Sequence, residues 1–510
     1  MEAPKTLDEI LTLEDIDQKI AYLKKGRRTS QPDTEKNLAD WNPTLHDIMK
    51  PELYPKIRVL VKMEDVKFDP ETGKSIKTPA KYEMKEPNRI ALPIEQDIVN
   101  IHTAFTVGME PTLDCQPEDD KEKGVFEAIK QVFKKNKLKY QNRKIVRSWL
   151  AEQEVAEYWF VVKDDGFWAK LKRKVAGLFG KTLPQYRLKS QVWSPFRGDT
   201  LYPFFDNSGD MVAFSREYEK TDINGNKHKV FMTITDKMVY QWNLEKTWEA
   251  NTERSFSHNL SKLPVIYAFR PEPLCAKVHQ LRTRLEKCLS GYADCIDNHF
   301  FPLLMLFGDL QPDSVTGDAR NRMMQLTGDG ANAQYLTWNQ SSDPIKVEIE
   351  TYFNQIYGLT NTPRISFDQL KGVGNALSGT AFRYVFMAAH MAVQNHAEEL
   401  GSFFQRRVNF LTSAIGALNV SLEEASSTID IETEIVPFMI DSESDKVTTA
   451  VAAVSGGVWS LEHGVAYCSD YGELQDELQQ ITEEQRQKEE QKQNAERLTR
   501  QSEPKPKEEV

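Results

Sequence analysis

The sequence predicts an α+β chain, mostly helical, in which long helices accompany a β-rich layer. Apolar residues recur at spacings of three and four over 273–301 and again over 379–418, as on one face of a long helix. Between 156 and 270 the runs EYWFVVK, YRLKSQVW, MVAFSREYEK, VFMTITD and MVYQWNL are aromatic and β-branched and have strand length. With 510 residues and 40% hydrophobic content the chain can bury a large core. A length of this order suggests about two to four domains.

Taken in order, Thr6 and Glu9 form a capping box, and Leu7, Ile10, Leu11, Ile16, Ile20 and Leu23 run at near-helical spacing to Gly26. One or two amphipathic helices therefore open the chain. After Pro51, IRVLVKM at 57–63 reads as a strand, and Ile94 to Phe105 as a helix ending near Gly108. Residues 121–150 read as a basic amphipathic helix. Val125, Phe126, Ile129, Val132 and Phe133 line one side, Lys130, Lys134, Lys135, Lys137 and Lys139 surround them, and Ile145, Val146, Trp149 and Leu150 continue the spacing. A solvated face is the plainer reading of these lysines, and contact with DNA or an acidic neighbour the other. Asn224-Gly225 marks a hairpin turn within the β-rich stretch.

From Pro273 the positions Leu274, Val278, Leu281, Leu285, Cys288, Leu289, Tyr292, Cys295 and Ile296 share a helix face to about Phe301. Such a helix spans roughly 40 Å. A glycine-bearing stretch, 308–343, follows and contains the strand-like AQYLTWN. A second helix starts at Pro344, capped by Asp343 or Ser342, and presents Ile345, Ile349, Tyr352, Phe353 and Ile356 before Gly358. Thr362-Pro363 ends it, and the following segment to Ser378, with Gly372 and Gly374, reads as a loop. Ser378 caps a helix from about Gly379 to Leu418, roughly 60 Å long. Beyond a strand-like IDIETEIVPFMI come two helical pieces separated by Gly456-Gly457, the second capped by Ser460. A charged tract runs from 473 to the end, and its last residues, SEPKPKEEV, are expected to be disordered.

Several function classes are excluded by what the chain lacks. No apolar stretch approaches the roughly 20 residues needed to cross a bilayer, and the start is acidic, so a soluble protein made in a cytoplasm is expected. The five cysteines are odd in number and form no CxxC pair, which suggests free, packed thiols rather than a disulfide framework or zinc knuckle. There is no HExxH, and His390 and His396 lie on different faces of a helix; packed or solvent-facing rings are expected. No GxSxG elbow occurs. Asp164-Asp165 has no second acidic strand end to complete a two-metal site, and Glu118-Asp119-Asp120 reads as a solvated turn. Gly372-Val373-Gly374 is followed by Leu377 where a nucleotide loop needs a third glycine, and no GK[ST] comes after it. No catalytic residue, metal site or cofactor is expected. The net charge of −11 argues against a protein that grips phosphates tightly. An acidic conduit along which DNA slides escapes that objection.

The stretch 352–387, YFNQIYGLTNTPRISFDQLKGVGNALSGTAFRYVFM, resembles the portal proteins of tailed bacteriophages, in particular the siphophage type. Thr360, Thr362, Pro363, Ser378, Gly379 and Ala381 match that family's T-x-T-P-like break and S-G-x-A helix opening. The order of long helix, glycine-bearing insertion, short helix, glycine loop and long helix agrees. EPNRIALPIEQDIVNIHTAFTVGMEP at 86–111 and VSGGVWSLEHGVAYC at 454–468 are also similar to family segments.

The resemblance implies a portal fold with wing, stem, clip and crown. Residues 1–50 would be an N-terminal helical extension, 51–272 the wing, 273–307 and 344–361 the stem helices and 308–343 the clip. The tunnel loop would be 362–378, a long wing or channel helix 379–419, the crown 420–470 and a charged tail 471–510. It implies a homo-oligomeric ring, a dodecamer, at one capsid vertex of the virion, assembled in the host cytoplasm and without membrane contact. Double-stranded DNA, held without sequence preference, would pass through it during packaging, retention and ejection. Partners would be the terminase large subunit, a head-tail connector, and the major capsid and scaffold proteins. Channel candidates are Lys277, Arg282, Arg284 and Lys287 on the first stem helix and Lys346 on the second, with ion pairs to Glu286, Glu348 or Glu350 as the alternative reading. In the tunnel loop they are Lys371, Gly372, Val373, Gly374 and Asn375, where two glycines permit backbone shifts. A phage nuclease or terminase would need ATPase or metal motifs that the sequence does not contain. A helical adaptor or scaffold of the virion that forms no channel is the other reading.

Overall fold

The computed structural model describes residues 6–62, 65–68, 75–79, 81–163, 186–222, 225–299, 303–310, 326–336, 343–364, 386–438, 443–468, 478–484, 486–488 and 490–491. The chain divides into two compact units, Met1–Arg364 with Ala388–Phe438, and Ile365–Met387 with Met439–Val510.

In the first unit the capping box forms as expected: the Glu9 amide donates to Thr6 Oγ1 at 3.4 Å and the Thr6 amide to Glu9 Oε2 at 3.0 Å, starting α1 (Leu7–Leu11). Asp15 caps α2 (Ile16–Lys25). Ile10, Ile20 and Leu23 from these helices are buried against Tyr202, Phe204, Ala213, Phe231 and Trp242. Next come α3 (Thr34–Trp41), two antiparallel strand pairs, β1 (Ile57–Lys62) with β4 (Lys81–Lys85) and β2 (Asp65–Phe68) with β3 (Ser75–Thr78), then α4 (Ile94–Val107) and β5 (Thr112–Asp114).

The stretch read as one helix over 121–150 is two, α5 (Asp120–Asn136) and α6 (Leu138–Glu152). Lys137 sits between them in the left-handed region, φ +52°, its amide donating back to the carbonyls of Phe133 and Lys134. A lysine at that position carries no break signal of the kind glycine does. Val125 and Ile129 are fully buried, while Lys130, Lys134, Lys135, Lys137 and Lys139 are exposed.

The β-rich layer comprises β6 (Glu154–Lys163), β7 (Tyr186–Trp193), β8 (Asp199–Phe205), β9 (Met211–Thr221), β10 (Lys227–Ile234), β11 (Met238–Leu244), β12 (Trp248–Ala250), β13 (Phe256–Ser257) and β14 (Val265–Phe269). All pairs are antiparallel, in two sheets of order β12-β11-β10-β9-β8, with β13 on β11, and β14-β6-β7. The turn joining β9 to β10 carries Gly225 at φ +88°, and the Asn226 amide donates to Asp222 Oδ1 at 2.8 Å. Asn224 lies outside the described residues. The two sheets share a core of Ala156, Tyr158, Trp193, Leu201, Phe214, Ile234, Val239, Val265 and Tyr267.

Because side chains alternate across a strand, Ala156 and Tyr158 face that core while Glu157 and Trp159 face a helix, α9 (Met387–Leu418). That double burial explains why β6 reads as a nearly unbroken apolar run.

The later elements are α7 (His279–His299), the antiparallel hairpin β15 (Leu303–Leu310) and β16 (Leu326–Leu336), α8 (Asp343–Leu359), α9, α10 (Glu423–Thr428) and β17 (Glu432–Glu434). The segment 273–307 is therefore not helical throughout: α7 ends at His299, and Leu303 already begins a strand whose neighbour is β16. The last long helix ends at Leu418 as expected, and its predicted start, 379–385, lies outside the described residues. Among its described residues IDIETEIVPFMI contributes the three-residue β17, paired with β5.

In the second unit, α11 (Glu443–Ser455) and α12 (Leu461–Cys468) are separated by a turn with Gly457 at φ +71°. Ser460 Oγ accepts from the His463 amide at 3.1 Å, the expected cap. Among the described residues no helix is long and apolar enough to cross a membrane.

Candidate DNA-channel helices and their buried anchorage

α7 and α8 lie side by side, and Arg284 joins them, its Nε and Nη2 donating to Glu348 Oε1 at 3.2 and 2.8 Å. The arginine's hydrogen bond holds the Glu348 carboxyl below its usual range. Both side chains meet solvent, so the pair contributes on the order of 0–1 kcal/mol. Lys287 and Lys346 are exposed, with the Lys287 ammonium 6.0 Å from the Tyr54 ring. Lys277 precedes α7 in a 3-10 turn and pairs with Glu272 at 3.3 Å. Four of the five predicted basic positions are thus on the surface of these helices or their approach. Glu350 is exposed as well.

Arg282 is not on that surface. It is 2% exposed, with Nη2 2.9 Å from Asp40 Oδ1 on α3 and Nε 3.1 Å from Glu95 Oε1 on α4. Its place one helical turn from Leu285 and Glu286 puts it on the inward face of α7. It therefore anchors the helix rather than lining a channel. Glu286, considered as a partner for channel cations, is also interior: Oε1 lies 2.6 Å from His46 Nδ1 and accepts the Leu92 amide at 2.9 Å. Burial pushes Glu95 up to about 6 in spite of Arg282. Burial also opposes ionisation of Asp40, yet the hydrogen bond from His279 and the charges of His279 and Arg282 hold its carboxyl low.

At the far end of α8 the motif LTNTP acquires a structural reason. Asn361 takes φ +53°, the Asn361 amide donates to the Gly358 carbonyl at 3.1 Å and the Thr362 amide to Tyr357 at 2.8 Å. This is the paired bonding of a Schellman stop, with the proline directly after it. Thr360, Thr362 and Pro363 are buried. Thr360 Oγ1 and Thr362 Oγ1 are 2.8 Å apart, Thr362 Oγ1 is 3.0 Å from His102 Nε2 on α4, and His102 Nδ1 is 3.1 Å from His396 Nε2 on α9. The Trp149 ring stands edge-on to His396, and the Arg270 guanidinium lies 4.8 Å above that indole. A cavity of about 300 Å³ opens beside the chain, lined also by Asn395, Glu399 and Asn361. The candidate tunnel-loop residues Lys371, Gly372, Val373, Gly374 and Asn375, and the motif residues Ser378, Gly379 and Ala381, lie outside the described residues.

Both histidines are held neutral. Burial lowers His102 to about 4, with the Arg270 charge adding to it, and lowers His396 to about 3, aided by His102 and Arg270. Below pH 6.5 an unfolded chain takes up protons that these folded rings refuse, so stability is complete above that pH and is lost as it falls toward 4. The loss is about 1.4 kcal/mol per pH unit for each ring. Denaturation midpoints at pH 7 and pH 5 are expected to show it, with the difference much reduced in His102→Gln/His396→Gln. Glu95 works in the opposite direction between 4.5 and 6, so the histidine variants isolate the effect.

No sequence motif singles out Asp40, Glu95, His46 or His102. Their partners lie far along the chain, 260 residues for His102 and Thr362, and no local spacing announces such a pairing.

A family model described as phage portal protein, SPP1 Gp6-like, matches residues 36–491. The chain belongs to that family. Among solved structures, this portal chain is similar to a chain from the neck of an empty gene transfer agent particle computed with C6 symmetry. The identity is 13% and the TM-score 0.41, with 74% of this chain and 90% of that one covered. A chain from the virion of a native gene transfer agent particle is 12% identical, with a TM-score of 0.34 and coverage of 72% and 85%. No curated relative matches by sequence. The family model alone carries the assignment.

Proposed function

We propose that this portal chain assembles with identical copies, as a dodecamer, into a closed ring at one vertex of the virion. Double-stranded DNA would pass through that ring during packaging, retention and ejection. The family match over 36–491 carries the reading. It is supported by apolar side chains that one copy leaves uncovered on the candidate stem and its continuation: Ile296, Val347, Leu359, Met387 and Met391 are all exposed. Identical neighbours about an axis bury such stripes without leaving an open edge.

In this reading residues 51–272 form the wing, α7 and α8 the stem, the β15–β16 hairpin the clip, 362–378 the tunnel loop and 420–470 the crown. The clip meets the terminase large subunit and later the head-tail connector, and the outer surface meets capsid and scaffold proteins. The chain performs no reaction of its own. Lys287 and Lys346, repeated around the ring, become belts of positive charge on an acidic background, while Arg284 is matched by Glu348. Such belts touch phosphates without reading bases and let the duplex slide.

Particles assembled with this chain are expected to fill with DNA, and particles assembled without it to remain empty. In Lys287→Glu/Lys346→Glu particles, the chain should fold and incorporate normally while the DNA content falls several-fold. DNA-filled particles lacking the chain would refute the function. Full DNA content in the double variant would remove these two residues from the channel.

A further inference from the structure

We propose that the groove between α5, β7 and the C-terminal end of α9 is a docking site for an acidic amphipathic helix of a separate protein. The groove measures about 510 Å³ and has an apolar floor of Val132, Leu188, Ile415, Leu418 and Leu422. Tyr186 and Leu418 stand half exposed at its edge, and Val420 beside it is 81% exposed. These are large apolar side chains that the described residues leave uncovered.

Charge identifies the occupant. Among the described residues that line the groove the charged ones are Lys135, Arg187 and Lys189, all basic. Lys134, Lys137 and Lys139 continue the same sign along the adjoining surface of α5 and its end. Of the described carboxylates on the neighbouring elements, Glu127 is paired with Lys130 at 3.0 Å and Glu424 with Lys121 at 3.9 Å. In a chain of net charge −11 this is a local reversal of sign. An apolar floor with a basic rim matches a helix that presents leucine-like anchors at i, i+3, i+4 and i+7 with carboxylates on either side. Duplex DNA would satisfy the lysines but leave the floor uncovered, so the floor favours a polypeptide. The site does not depend on the channel reading.

The test uses the full chain and three fluorescein-labelled probes followed by anisotropy: an 18-residue helical peptide with a leucine stripe flanked by glutamates, the same peptide with lysines for glutamates, and a 20-base-pair duplex. The glutamate peptide is expected to bind at micromolar concentration and the lysine peptide at least tenfold more weakly. Lys135→Glu/Lys189→Glu should weaken the glutamate peptide at least tenfold, and Leu418→Asp should do the same with the rim charges intact. All three positions are at least partly exposed, so the variants should fold, which circular dichroism verifies. Equal binding of both peptides, unchanged binding to the variants, or no binding would overturn the proposal. Competition by the duplex with loss in the lysine variant but not in Leu418→Asp would assign the face to nucleic acid instead. Self-association abolished by the same variants, without peptide binding, would assign it to a second copy and equally overturn the proposal.

Discussion

Replacing Arg407 by methionine is expected to cost about 3–5 kcal/mol, because it strands a carboxylate in the interior. Arg407 on α9 is 1% exposed. Its Nε donates to Glu157 Oε2 at 2.7 Å and its Nη1 to Asn142 Oδ1 at 2.7 Å. The rings of Phe403 and Phe404 lie 5.4 and 5.0 Å from the guanidinium carbon. Glu157, on β6, is fully buried, and its second oxygen has no hydrogen-bond partner. One arginine therefore ties the sheet, α6 and α9 together. Removing it leaves Glu157 charged without compensation or forces it to take a proton. The pair itself need not be worth that much, since apolar replacement of both partners in such sites is often neutral. Glu157→Leu/Arg407→Met should accordingly recover most of the loss in a urea unfolding series. A single variant within about 1 kcal/mol of the parent would show that the site relaxes or admits water.

Arg282→Met is expected to lose about 3 kcal/mol at pH 8 and clearly less at pH 5. Arg282 pairs with both Asp40 and Glu95, whereas His279, also on α7, reaches Asp40. With it gone, Glu95 is a buried carboxylate without a cation. Because burial already raises Glu95 to about 6, at pH 5 it can take a proton and become neutral, which limits the penalty. Asp40 is partly exposed and retains its hydrogen bond from His279, so its share is small. A loss independent of pH would mean that packing, not charge, governs this site. Substitutions at the exposed Lys287 and Lys346 should change DNA content with little change in stability, whereas Arg282 should change stability first.

The sequence made the secondary structure legible where a local rule operates. The Thr6–Glu9 box, the β-strands of 156–270, the stop after Leu359 and the Ser460 cap each follow from a few adjacent residues. Where local rules compete or are silent, it was less informative. Lys137 interrupts a basic helix with no glycine to announce it, and β15 begins inside a segment assigned to a stem helix. The candidate site shows the same division. The TNTP motif was visible, but its reason, the chain from Thr362 through His102 to His396, depends on three segments that meet only after folding. In the sequence Arg282 groups with Arg284 and Lys287, because one-dimensional spacing shows which residues are basic. It does not show that α3 and α4 cover one side of the helix.

The most direct test of the ring is single-particle imaging of the purified full-length chain, with mass determined on the same sample. Closed rings with a central hole and a mass that is an integral multiple of the subunit are the expected result. A well-folded monomer or an open rod at high concentration, with no annular species even when capsid proteins are present, would contradict it.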